Sequence, residues 1–222
     1  MNLVVRKLIA KEFHMNRAMI VGASVACIVA CIVATYGSLG FNIGALCWLT
    51  TIIAAGVMLA IYGVLHERKE NSLQFVLSLP LSPKEYVRAK LTGLLLSFLV
   101  PWLVATISAV ALILLDPDIA DGLLPYVLAL CGFLLMNFAL VLCGTMHARS
   151  ESAVTVVIIL TNMLVSVYMF TFGAAPGLRQ HMEGATPVWN STFFSILSIE
   201  FLIFILVLAL PLATVARRRD FI

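Results

Sequence analysis

Charge is scarce in this chain. Asp, Glu, Lys and Arg make up 11% of its 222 residues, against about 25% in an ordinary soluble domain. The chain is 62% hydrophobic, with a mean hydropathy of +1.08. A soluble fold of this size cannot hide that much apolar surface, because much of any small globule stays wet. Soluble enzymes, nucleic-acid binders and disordered tails are excluded together. Catalytic motifs are lacking as well. There is no G-x-x-x-x-G-K-[ST] phosphate loop, so ATP is not bound in that way, and neither H-E-x-x-H nor G-x-S-x-G occurs. Metal-ligand spacing is also missing: His14, His66, His147 and His181 stand singly near the expected membrane boundaries. Cys27 and Cys31 are one helical turn apart, the spacing of a soft-metal pair. Two thiols need further ligands, and no histidine is near them in sequence. They and Cys47, Cys131 and Cys143 read as small polarizable packing residues. No metal and no cofactor are expected in this chain.

What the sequence has in abundance is long apolar runs. A membrane helix needs about 20 such residues. Six runs qualify, at about 18–36, 39–65, 91–115, 122–146, 153–174 and 192–216. No tract alternates with period two, so helices rather than a barrel satisfy the backbone in lipid. The expectation is an all-α integral membrane protein, a single transmembrane domain over 1–222. Its orientation follows from the basic residues. Arg6, Lys7, Lys11 and Arg17 precede the first run, and Arg68, Lys69, Lys84, Arg88 and Lys90 separate the second from the third. Arg149 lies between the fourth and fifth, and Arg217, Arg218 and Arg219 follow the sixth. Thirteen of the 14 basic residues thus share one side; the other holds Arg179 and the acidic turn Asp116, Asp118 and Asp121. The positive-inside rule places both termini in the cytoplasm.

The first run is longer than a usual signal-peptide core and no small-residue cleavage site follows it, so it reads as a retained span. Ahead of it, Val5, Leu8, Ile9 and Phe13 fall on one helical face, with Arg6, Lys7, Lys11 and His14 largely on the other. Residues 2–16 therefore read as an amphipathic helix in the membrane interface.

The sizeable polar stretch is 66–90, HERKENSLQFVLSLPLSPKEYVRAK. Asn71 or Ser72 can cap a short helix with Leu73, Val76 and Leu77 on one face. Pro80 stops it. Ser82-Pro83-Lys84-Glu85 then restarts a helix: Ser82 as N-cap, Pro83 at the first helical position, Glu85 closing a capping box. An exposed Leu/Phe face beside charges suits either docking to a partner or an interfacial turn whose leucines dip into lipid.

This loop resembles the signature of bacterial ABC transporter type 2 permeases, the membrane subunits of ATP-driven exporters. The matching positions are Glu67 and Glu70, Leu77-Ser78-Leu79-Pro80, Ser82, Lys84 and Lys90. Asn71 stands where many members have glycine, and Pro83 replaces a common residue before the basic one. The motif covers about 25 residues. Six spans, an amphipathic N-terminal helix, internal termini and overall length extend the resemblance to the whole chain. It implies the type 2 exporter fold, with 72–79 as a coupling helix seated in a cleft on a separate ATP-binding-cassette subunit. Leu73, Phe75, Val76 and Leu77 would supply apolar contact, and Glu67, Arg68, Lys69 and Glu70 the polar rim; Leu79, Pro80 and Lys84 belong to the same coupling set. It further implies a second copy or a homologous permease subunit as partner, with ATP and Mg2+ held by the ATPase subunits. The location implied is the bacterial plasma membrane, with lipid around the chain and no nucleic-acid partner.

Within the spans, Asn137, Asn162 and Glu200 are the strongly polar residues, candidates for a substrate pathway. The asparagines read first as interhelical hydrogen bonds. Glu200 reads as a substrate or gating contact, or, slightly preferred, as an interfacial acid near the outer end of the sixth span. Gly40–Gly44 and Gly56–Ala60 are small-xxx-small pairs that permit close helix contact. Pro101 and Pro211 are expected to kink or end their helices. The segment GAAPGLRQHMEGATPVWNST corresponds to short re-entrant helices in the resembled family, with Trp189 as an interface anchor.

The reading is a permease subunit of an ABC exporter, without catalysis of its own. A self-contained secondary transporter is the alternative; it would show internal repeats or broken spans with buried charge, and neither is evident. An intramembrane enzyme would need convergent polar residues, and few are available. Peptide, drug, lipid or haem would all suit mainly apolar walls.

Overall fold

The computed structural model describes residues 3–66, 82–148 and 150–214. The described residues are mostly helical, without strands, and six helices are long and apolar enough to cross a membrane. Helix α1 spans Leu3–Met15 and α2 spans Arg17–Ala34. α3 covers Gly37–Ala60 and continues as a π-helical turn, Ile61–His66. α4 runs Pro83–Leu115, α5 Leu124–His147 and α6 Glu151–Gly173; a four-residue α7, Pro176–Arg179, precedes α8, Ser191–Thr214.

Hydropathy explains why these segments are helical, and packing explains their order. α5 touches α3, α4, α6 and α8 and is the most buried helix. Phe98 of α4 stacks on Phe138 of α5 at 4.1 Å. Two indoles tie neighbours through backbone carbonyls: Trp48 Nε1 donates to Ala105 O (3.1 Å) and Trp102 Nε1 to Cys131 O (2.8 Å). The α2–α3 turn closes at Gly37, whose φ of +69° is a left-handed conformation that glycine adopts without strain. Beyond it the two helices lie in very close contact. A Cβ on Gly44 would stand 2.5 Å from Ala30 O, and one on Gly40 2.7 Å from Val33 O. The small residues at these positions allow that approach.

α4 is the longest element. Its 33 residues extend about 50 Å at 1.5 Å per residue, against a hydrocarbon core of about 30 Å. It starts eight residues before the expected span at 91 and passes through Pro101 without ending; α8 likewise passes through Pro211. Ser82 caps it. The Ser82 hydroxyl accepts from Glu85 N (3.3 Å), and Ser82 N donates to Glu85 Oε2 (3.0 Å).

On α1 and the residue after it, Val5, Glu12 and Asn16 are buried against the protein, whereas Phe13 is 40% exposed. Glu12 is drawn in because it has a partner on α4. Between the fifth and sixth spans there is the single turn α7, not a set of re-entrant helices. It is held by Asn190, whose Nδ2 donates to Gly177 O while its Oδ1 accepts from Phe193 N (3.0 Å) at the start of α8. Trp189 is half exposed there and meets Phe193 edge-on.

Candidate functional site

Two places concentrate polar chemistry. The first is the end of the bundle where α1, the π-helical turn of α3 and the start of α4 meet. Lys90 Nζ lies 2.7 Å from Glu12 Oε1, and both side chains are almost withdrawn from solvent, 4% and 6% exposed. Gly93, one turn beyond Lys90, makes the approach possible: a Cβ there would stand 2.9 Å from the Glu12 stem. On the α3 side, Gly63 is covered by Leu94 of α4. α1 and the π-helical turn thus both rest on the first turns of α4. Lys84 is exposed on the first turn of that helix. Glu67, Glu70, Leu73, Phe75, Val76, Leu77, Leu79 and Pro80 lie outside the described residues.

The role of Glu12 was not apparent from the periodicity of the first helix. Its one sequence signal is that no other acidic residue occurs before Glu67. A lone carboxylate in a basic, apolar segment calls for a cation, and Lys90 answers from 78 positions away. At the same end, His147 Nδ1 donates to Cys143 O at 2.8 Å, and Nε2 lies 2.7 Å from the Thr214 hydroxyl, which itself donates to Leu210 O. This links the last turns of α5 and α8.

The second place is intramembrane. Glu200 stands nine residues into α8, about 13 Å along it, and is 5% exposed. The carboxylate is held within the bundle, where Tyr168 of α6 donates its hydroxyl to Oε1 at 2.6 Å. Tyr168 is itself clamped between Phe133 (4.0 Å) and Phe172 (4.4 Å). Glu200 Oε2 has no hydrogen-bond partner. It lies over Gly132, where a Cβ would come within 2.5 Å of it.

Glu200 and Gly132 line a groove of about 490 Å³ between α4, α5 and α8. Asn137 does not join it. Its side chain faces Ile52, Gly56 and Phe98 on the other side of α5, and its Oδ1 is buried without a partner. Asn162 on α6 lines neither space, and its Oδ1 also lacks a partner. The three polar residues therefore do not converge on one cavity within this chain. A separate apolar space of about 370 Å³ lies between α2, α3, α4 and α5, beside Trp48 and Tyr126. Among the described residues no cluster of three or more His, Cys, Asp or Glu could hold a metal. Cys27 is buried, and Cys31 Sγ donates a weak hydrogen bond to Ser108 Oγ at 3.4 Å.

Residues 7–215 match a family described as ABC-2 family transporter protein. Comparison with curated proteins and with solved structures found no match. The family match spans nearly the whole chain, and six apolar helices with no strand among the described residues agree with it. The chain belongs to the ABC-2 transporter family. It is a multi-pass membrane protein and a permease subunit of an ABC transporter, a class that associates with ABC ATPase subunits.

Proposed function

We propose that this chain is the pathway-forming half of a bacterial exporter, pairing with a second copy or a homologous permease. Both termini and the 66–90 loop face the cytoplasm, in keeping with thirteen of 14 basic residues on that side. Residues 72–79 act as the coupling helix on separate ATPase subunits, which hold ATP and Mg2+. Leu73, Phe75, Val76, Leu77, Leu79 and Pro80 make the apolar contact, and Glu67, Glu70 and Lys84 its charged edge. Asn137, Asn162 and Glu200 are the polar points of the pathway side, and the cargo is a peptide, a drug or a lipid.

The observation that carries this reading is the unbroken helix from Pro83 to Leu115, capped by Ser82 directly behind the loop. A pull on the loop reaches the membrane through a rigid rod instead of dissipating in a flexible joint. The Glu12–Lys90 pair makes α1 move with that rod. ATP-driven closure of two ATPase subunits would then tilt α4 and repack α2 and α5 against it.

Affinity purification from the source membrane tests the reading. An ATP-binding-cassette ATPase is expected to co-elute in stoichiometric amount, and Leu73→Asp or Leu77→Asp is expected to remove it while the permease still folds. An ATPase retained by both variants, or none in the native complex, overturns it.

A further inference from the structure

We propose that the groove between α4, α5 and α8 is a binding site for an organic ammonium ion with an apolar body. The argument starts from the orphan atom. Glu200 Oε2 is buried with no partner, while Oε1 is occupied by Tyr168. A buried carboxylate oxygen left unsatisfied is costly, and the missing partner must be a donor or a cation. The groove provides no strong one: the Cys131 thiol on its wall is only a weak donor. The hydroxyls of Thr106 and Ser198 line it, but they donate to the carbonyls of Trp102 and Phe194, each 2.7–2.8 Å away in its own helix. No lysine or arginine lines it.

The remaining walls select charge. Trp102, Phe193, Phe194, Phe201 and Phe204 surround the space. Aromatic faces attract cations, and more strongly once water is excluded. A wall of rings around one acidic oxygen repels anions and offers a neutral apolar molecule no use for the carboxylate. An ammonium N–H on Oε2, with the hydrocarbon part against the rings, satisfies both features. A volume of about 490 Å³ is within the usual range for small-molecule sites. Access lies at the outer face of α8, where Phe194, Leu197 and Phe201 are exposed. Gly132 belongs to the site because any side chain there would occupy the carboxylate's seat. That the bound cation is the transported cargo rests on the permease reading; that the groove binds it does not.

The test uses one scaffold in three charge states: 4-phenylbutylamine, 4-phenylbutan-1-ol and 4-phenylbutyrate. Binding is measured by equilibrium dialysis on the purified full chain in maltoside micelles, which contribute no ammonium group. Saturable amine binding is expected, at least about tenfold tighter than the alcohol, because both can donate to Oε2 but only the amine adds an opposite charge, with none for the carboxylate. Glu200→Gln is expected to lose that tenfold preference. Leu197→Trp, at the exposed mouth, is expected to abolish binding with the melting temperature preserved. Amine binding unchanged in Leu197→Trp, or equal to that of the alcohol in the native chain, overturns the proposal even if Glu200→Gln fails to fold. Failure here leaves ATPase co-purification unaffected, so the two readings are separable.

Discussion

Glu12 and Lys90, 78 residues apart in sequence, meet at 2.7 Å in a setting nearly closed to solvent. The pair fixes α1 to the first turns of α4 and so decides where α1 sits. Removing one member takes a close partner from a nearly buried charge, which costs up to about 3–5 kcal/mol. Glu12→Leu and Lys90→Met are each expected to lower thermal stability in detergent by that order. The double variant Glu12→Leu/Lys90→Met should recover most of the loss. Additive single losses in a double-mutant cycle would show that the two residues act independently.

Ser82→Ala should act locally. Its hydroxyl accepts from Glu85 N at the first turn of α4, and loss of such a cap costs about 1 kcal/mol. Hydrogen exchange at the amides of residues 84–88 is expected to speed up about fivefold, while those of 95–110 stay as protected as before.

Gly44 and Gly22 make a matched pair for testing the α2–α3 contact. A Cβ on Gly44 would meet Ala30 O at 2.5 Å and Ala34 Cβ at 2.7 Å, whereas Gly22 has nothing within 4 Å. Gly44→Ala is expected to destabilise by about 1–3 kcal/mol, as overpacking does. Gly22→Ala should stabilise by up to about 1 kcal/mol through helix propensity and a less mobile unfolded chain. Thermal denaturation of both variants checks the sign of each effect.

Tyr168→Phe removes the donor to Glu200 Oε1 and keeps the ring between Phe133 and Phe172. The carboxylate then has neither oxygen satisfied by the protein. A loss of about 1–3 kcal/mol is expected from the orphaned group. Glu200→Gln, which can still accept from Tyr168, should lose less. The reverse order, measured by thermal melting, would show that the tyrosine packs but does not hold the carboxylate.

The six spans were legible because burial in lipid is a property of each stretch taken alone. Twenty apolar residues cross a bilayer whatever their neighbours are, and the backbone must then bond within its own helix. The start of α4 was legible for a similar reason, since Ser82 and Glu85 satisfy each other within four residues. Gly40 and Gly44 announced a close helix contact, but not with which helix; α2 was settled by the turn at Gly37.

Residues whose meaning depends on a distant partner were harder to place. Hydrophobic periodicity gave α1 an apolar face that includes Phe13, but it could not show that Glu12 turns inward to the protein. One ion pair outweighs the preference of a phenylalanine that lipid can solvate equally well. Glu200 looked like an acid near an interface because nothing in its own helix compensates it. Tyr168, supplied by another helix, removes that objection.

From sequence alone came the number of spans, the cap on the long third one, the sidedness of charge and the family likeness. All of these follow from local composition and spacing. Which carboxylate meets which partner, and that Asn137, Asn162 and Glu200 face different spaces, came only with the tertiary structure. In lipid the hydrophobic effect barely distinguishes one apolar face from another, so the rotation of each helix is set by close packing and a few polar bonds across the bundle.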